Sequence, residues 1–159
     1  MILHITHAGR EDAAEIALLE ESAPSPWPQS QIESELRQTV GIQLTARNGK
    51  PIIGWCCARL VAPECELLKI TVLPHHRRWG VGAALLGELF ALCSRAGCRE
   101  IFLEVRQKNE QARSFYRRYG FTEAGGVRKG YYQQPPDNGV ILRRRLSEPI
   151  HSTQGGPQQ

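Results

Sequence analysis

The span from Glu66 to Arg106 constrains the fold of this chain more than any other part of it. An apolar run, ELLKITVLP, leads into the turn HHRRWGVG, and then Val81, Leu85, Leu89, Leu92, Cys93 and Ala96 recur at helical intervals as far as Gly97. REIFLEVR follows, with Ile101, Leu103 and Val105 alternating against Phe102, Glu104 and Arg106. A period near 3.6 marks a helix and a period of two marks a strand. Glycine just past the last periodic residue is a helix stop, because it takes the left-handed conformation at no steric cost. Strand, turn, helix and strand in that order form a crossover unit, whose two strands must be parallel neighbours or nearly so.

The rest of the chain adds mostly antiparallel pieces to this unit. LHITHAG reads as an opening strand. REDAAEIALLEESA reads as a helix with Ala14, Ala17, Leu18 and Glu21 at helical spacing, and the prolines of PSPWP end it. QSQIESELRQ offers a short second helix with Ser30 as its cap. VGIQLTAR and PIIGWCCARLVA flank Asn48-Gly49, a strong hairpin signal since both residues tolerate positive φ. NEQARSFYRRYG is a helix capped by Asn109 and stopped by Gly120, with Ala112, Phe115, Tyr116 and Tyr119 along one side. FTEAGGVR and GVILRRRL supply two last strands, and the arginines at 143–145 read as a solvated sheet edge. The expected fold is mixed α/β: one domain over residues 1–146, a mostly antiparallel sheet of about seven strands, and helices on both faces. Residues 147–159, SEPIHSTQGGPQQ, have little to bury and are expected to be a disordered tail.

Composition excludes several classes. At 159 residues the chain holds one full-sized core but not two. No apolar run reaches the roughly 20 residues that cross a bilayer, and the N-terminus lacks the pattern of a signal peptide, so no membrane partner and a cytoplasmic location are expected. Five cysteines (Cys56, Cys57, Cys65, Cys93, Cys98) include no C-x-x-C, which predicts buried thiols and no metal site. A net charge of +4 permits attraction to anions without demanding nucleic acid, and no direct nucleic-acid binding is expected. A monomer is expected.

The glycine turn can be tested against three phosphate-binding patterns. No Gly-Lys-Ser or Gly-Lys-Thr exists, which excludes a Walker loop. A dinucleotide fingerprint finds Gly80 and Gly82 but meets Leu85 at its third place, although Glu104 lies about where a ribose-binding acid would stand. The third pattern, [RQ]-x-x-G-x-[GA], is met by Arg77-Arg78-Trp79-Gly80-Val81-Gly82. Bare backbone at the glycines, the unpaired N–H groups of the helix that begins at Val81 and two arginines would together suit a pyrophosphate. Glycine at a helix entry can also be a turn device and nothing more.

ITVLPHHRRWGVGAALL, LEVRQKNEQARSFYRRYGF, RKGYY and the earlier SPWPQSQIESEL together resemble the GNAT acetyltransferase superfamily, in its ribosomal-protein-alanine N-acetyltransferase (RimI-type) branch. The resemblance covers most of residues 1–146. It implies acetyl-CoA as co-substrate and a protein N-terminal amine as acceptor, with the N-terminal alanine of small-subunit ribosomal protein eighteen as the favoured one. A lysine or small-molecule amine as acceptor, or a non-catalytic coenzyme-A-binding module, are the alternatives.

By motif match the resemblance makes Glu104 the general base and Tyr116 the acid near the thioester sulfur. Their plain alternatives are a strand carboxylate paired with Arg106 or another arginine, and a packed helix tyrosine. Ile70, Thr71 and Val72 match the strand that lines the pantetheine arm, and Arg77, Arg78, Trp79, Gly80, Val81, Gly82 and Ala83 match the pyrophosphate loop. Asn109 matches a cofactor contact or else is only a cap. Trp27, Tyr131 and Tyr132 match the flanks of the acceptor groove, against partly buried loop aromatics. Two places depart from the branch. Lys69 stands where it commonly has asparagine, and QQPPDNGVIL replaces a clean P-x-x-D-A, which puts peptide preference in doubt more than acetyl transfer.

Overall fold

A computed structural model describes residues 2–146, so the tail at 147–159 lies outside the described residues. Among the described residues there are eight strands and four α-helices: β1 Leu3–His7, α1 Ala13–Glu20, α2 Gln29–Leu36, β2 Gly41–Asn48, β3 Ile52–Val61, β4 Glu64–Val72, α3 Val81–Arg95, β5 Glu100–Arg106, α4 Glu110–Arg118, β6 Thr122–Glu123, β7 Arg128–Gln133 and β8 Pro136–Arg145. Short 3-10 turns precede α1 and α3. The sheet runs β1-β2-β3-β4-β5-β8-β6, with β7 also paired to β8. Among the described residues only β4 and β5 are parallel neighbours, as the crossover unit requires.

Alternation along β3 sorts the core into two layers. Cys56 and Ala58 point into a cluster with Leu85, Leu86, Leu89 and Cys93 of α3, while Trp55 and Cys57 point into a second cluster with Ile16 and Leu19 of α1 and Ile32 of α2. Helices therefore cover both faces. Each fully buried leucine on α3 contributes roughly 1.5–3 kcal/mol by leaving water. Gly54 on β3 lets this helix sit close, since a Cβ there would meet Val81 Cγ1 at 2.9 Å. All five cysteines are buried free thiols, and burial pushes Cys56 up to about 12.

Several expectations are corrected. The buried side of α1 is Ala13, Ile16, Leu19 and Glu20, whereas Leu18 is 65% exposed. The reason is a carboxylate: Glu20 faces inward because four donors meet it there, which displaces the inward stripe from the one containing Leu18. Ser30 lies inside α2 and does not cap it; Pro28 occupies the cap position, with extended backbone. RKGYYQ forms a strand of its own, β7, which brings the count from about seven to eight. The arginines at 143–145 are not on an edge strand, because β8 has β5 on one side and β6 and β7 on the other. Arg143 and Arg145 both reach Glu100, and Arg144 donates to the Tyr119 carbonyl while lying on the Phe90 ring.

Candidate active site

The site begins where a ladder stops. β4 and β5 pair from Glu64–Glu100 to Leu67–Leu103 and no further, although β4 continues to Val72 and β5 to Arg106. At the same level the β3–β4 register slips between Cys57–Lys69 and Ala58–Leu67, so Leu68 is an extra residue on β4. A bulge bends the strand that carries it. Ile70, Thr71 and Val72 thus pass β5 without pairing to it, and Glu104 and Arg106 stand across the resulting gap.

The N-terminus of α3 opens at the end of β4. Gly80 takes φ +81° and Arg78 φ +71°, so the chain makes two left-handed steps before the helix. No side chain caps the helix, and Ala84 is the first residue whose N–H finds the helical acceptor, the Gly80 carbonyl at 2.9 Å. The N–H groups of Val81, Gly82 and Ala83 therefore stand ahead of the first hydrogen-bonded turn, at the positive end of the helix dipole. Arg77 donates from Nε to the Val72 carbonyl at 3.2 Å, which keeps its charge at this mouth. Trp79 is 55% exposed and meets His76 edge-on at 5.1 Å between ring centres. Gly82 has a reason beyond bare amides: a Cβ would come within 3.0 Å of Phe115 Cζ on α4. An uncapped helix start beside an unpaired strand suits a long carrier with a diphosphate in it.

Glu104 lies on the β5 face opposite α3. Its Oε1 pairs with Arg128 of β7 at 3.5 Å, and its Oε2 is buried with no hydrogen-bond partner among the described residues. Burial raises its pKa, and Arg128 opposes that rise. Of the two sequence readings, then, the arginine partner exists but leaves one oxygen free. Gly139 on β8 makes the arrangement possible, for a Cβ there would sit 3.0 Å from Oε2 and 3.1 Å from the Tyr131 ring. Tyr131 and Tyr132 pack edge to face at 5.0 Å, with Arg128 over the first ring and Arg106 over the second. Burial and the nearby Glu104 push Tyr132 up to about 12.

Tyr116 is buried on α4 between Phe115 and Phe121, at 5.3 and 5.5 Å. Burial raises its pKa first, and Cys56 and Tyr132 add to the rise, so the phenol keeps its proton. The packed-tyrosine reading is the one the contacts describe. Asn109 is a cap: Oδ1 accepts from Ala112 N–H at 3.1 Å. Trp27 packs edge-on against buried Trp55 at 5.8 Å.

Sequence reasoning missed the carboxylate beneath this wall. Glu20, fully buried, accepts from Trp27 N–H (2.9 Å), Trp55 Nε1 (2.8 Å) and Thr71 Oγ1 (2.6 Å), and pairs with Lys69 Nζ at 3.3 Å. It ties α1, the loop after it, β3 and the unpaired stretch of β4 to one point. The available signal was Lys69, a cation inside the apolar run ELLKITV, which needs a buried partner. Arg106, one arginine expected beside Glu104, instead donates to Ser25, Gln134 and Pro135, and Arg128 takes the pairing with Glu104.

Residues 10–121 match the model of the acetyltransferase (GNAT) family. The chain belongs to the GNAT acetyltransferase family. It is 30% identical over 149 residues to the N-alpha-acetyltransferase RimI of Mycobacterium tuberculosis, covering 91% of this chain and 92% of that one. With the ribosomal protein bS18-alanine N-acetyltransferase of Escherichia coli it shares 34% over 108 residues, or 67% of this chain and 71% of that one. A crystal structure of the ribosomal-protein-S18-alanine N-acetyltransferase from Escherichia coli superposes with a TM-score of 0.85 at 24% identity, over 94% and 97% of the two chains, and shares the fold. GNAT enzymes draw acetyl from acetyl-CoA, and the β4–β5 gap with the open α3 start fits that carrier.

Proposed function

We propose that this GNAT domain acetylates the N-terminal α-amine of a protein, with the N-terminal alanine of ribosomal protein bS18 as the favoured acceptor. The relatives named above carry that activity in their names, and the observation in the molecule that supports it most is the free buried oxygen of Glu104 beside the β4–β5 gap. A terminal α-amine has a pKa of about 7.7–8.0 against about 10.4 for lysine, so a carboxylate with a raised pKa is a competent base for the former near neutrality.

The carrier supplies an activated acyl group when bound. The N–H groups at the start of α3, with Arg77 and Arg78, hold its diphosphate, while Trp79 and Ala83 border that turn. Ile70, Thr71 and Val72 offer backbone groups to its arm across the gap, where an N–H aimed at the acyl oxygen would favour developing negative charge. Asn109 orders the first turn of α4 and so places Tyr116. Glu104 takes the proton of the attacking amine at Oε2, directly or through one water. Tyr116, kept protonated by burial, would hydrogen-bond to the departing thiolate and pass it a proton that the one taken up at Glu104 replaces through water, so that no phenolate is left buried. Trp27 on one side and Tyr131 and Tyr132 on the other flank the acceptor, whose protein chain leads away from the domain. The chain works as a monomeric cytoplasmic domain over residues 1–146, without metal.

The test separates binding from chemistry. Glu104→Gln and Tyr116→Phe should each lower turnover by about 10²-fold or more, in the range of a lost acid or base, while acetyl-CoA affinity changes less than about twofold. Full activity of both variants on a good acceptor would remove these roles.

A further inference from the structure

The two strands that part at the gap each send a cation to the same serine. Lys69 of β4 donates from Nζ to the Ser25 carbonyl at 2.7 Å. Arg106 of β5 donates from Nη2 to Ser25 Oγ at 3.3 Å. The same guanidinium reaches the turn between β7 and β8, donating to the carbonyls of Gln134 at 2.9 Å and Pro135 at 2.6 Å, and lies 4.3 Å over the Tyr132 ring. Arg106 therefore joins the loop that carries Trp27 to the hairpin that carries Tyr131 and Tyr132.

The loop has little else to hold it. In Pro24-Ser25-Pro26-Trp27-Pro28 every second residue lacks an N–H, so it can form neither a helix turn nor a ladder of its own. Its anchors are the Trp27 N–H on Glu20, the Trp27 ring on Trp55, and the two cations on Ser25. A planar fork suits the second cation, because one group must serve acceptors on two separate segments; an ammonium on a lysine stem would not span them in the same way. Arg106 also follows Glu104 by two residues on the same face of β5, so the Tyr132 ring it covers belongs to the same wall as the free carboxylate oxygen.

We propose that Lys69 and Arg106 clamp the Ser25 loop across the mouth of the β4–β5 gap, and that this clamp sets the size of the first acceptor side chain admitted to Glu104. The second half rests on the reading of the domain as an N-terminal α-amine acetyltransferase. Both residues are positioning residues: they act through the loop and the hairpin. A fixed opening admits alanine and obstructs larger first residues, while a released loop admits both.

Arg106→Ala is the first test and Ser25→Ala the second, since the latter removes the Oγ acceptor and keeps the carbonyl that Lys69 uses. Two peptides identical except for alanine or leucine at the first position are compared under steady-state conditions, with acetyl-CoA affinity and hydrogen exchange of the Trp27 amide, which is bonded to Glu20, measured alongside. Arg106→Ala should raise the acceptor KM about tenfold and lower the alanine-over-leucine preference about fivefold or more, the range a pocket of this kind controls. Acetyl-CoA affinity should stay within about twofold, and the Trp27 amide should exchange faster. Ser25→Ala should move each quantity the same way by less, and it decides the matter if Arg106→Ala does not fold. An unchanged preference with a folded variant, or unchanged exchange, overturns the clamp. If the wild-type protein acetylates neither peptide, the functional reading fails, and the exchange rates alone still decide whether the clamp holds the loop.

Discussion

Lys69→Met removes the only cation within ion-pair distance of a fully buried carboxylate among the described residues. Glu20 has no exposed surface and the Lys69 side chain keeps 15%, so solvent cannot replace the lost ammonium. Stripping one partner from a buried pair costs about 3–5 kcal/mol. Three donors remain, Trp27 N–H, Trp55 Nε1 and Thr71 Oγ1, at 2.6–2.9 Å, which places the expected loss near the lower end, about 3 kcal/mol. For a domain of this size that is a fall in Tm of about 6–12 °C. Adding Glu20→Gln should recover part of it: the amide oxygen can stand at Oε2 and accept from Trp55 and Thr71, but the amide NH2 then faces the Trp27 N–H, donor to donor, and these unpaired donors cost about 1–3 kcal/mol. Urea denaturation of wild type, both single variants and the double variant gives the coupling directly. A Lys69→Met loss under about 0.5 kcal/mol, or a double variant less stable than Lys69→Met alone, would refute the hub role of Glu20.

The acidic limb of kcat/KM should lie above the ordinary carboxylate range, because burial raises the Glu104 pKa and the base works only when deprotonated. Activity should therefore rise with pH through that limb, and the limb should vanish in Glu104→Gln; a limb that persists there belongs to another group. Gly139→Ala should leave the fold within about 1 kcal/mol, since the half-exposed Tyr131 can shift, yet cut turnover roughly tenfold or more by displacing Glu104 Oε2. Circular dichroism melts and initial rates check the two halves. Gly82→Val should weaken acetyl-CoA binding about tenfold, read by calorimetry, because its side chain must drive Phe115 of α4 away from the α3 entrance.

The sequence was most legible where a period was long. The crossover from β4 through α3 to β5 follows from residues 66–106 alone, and the caps at Asn109, Gly97 and Gly120 fall where their residue types require. The α1 face was misread because Leu18 and Ala14 obey helical spacing as well as Ile16 and Leu19 do; only the partners of Glu20 decide between the stripes. β7 was missed because Arg128–Gln133 is mostly exposed and carries no alternation, being held through β8. The arginines at 143–145 were placed on an edge since charge is the usual guard of an edge strand, whereas here Glu100 and the Tyr119 carbonyl receive them. At the site, motif spacing reached Glu104, Tyr116 and the α3 entrance. It could not reach Glu20, Lys69, Arg106 and Arg128 as a set, because their roles come from contacts between residues far apart in sequence.

The most direct measurement is where the acetyl group goes. Incubated with acetyl-CoA and a peptide that begins with alanine and carries an internal lysine, the protein should leave a single acetyl on the α-nitrogen, located by fragment masses. An acetyl on the lysine ε-nitrogen instead, or an unmodified peptide with acetyl-CoA demonstrably bound, would contradict the account.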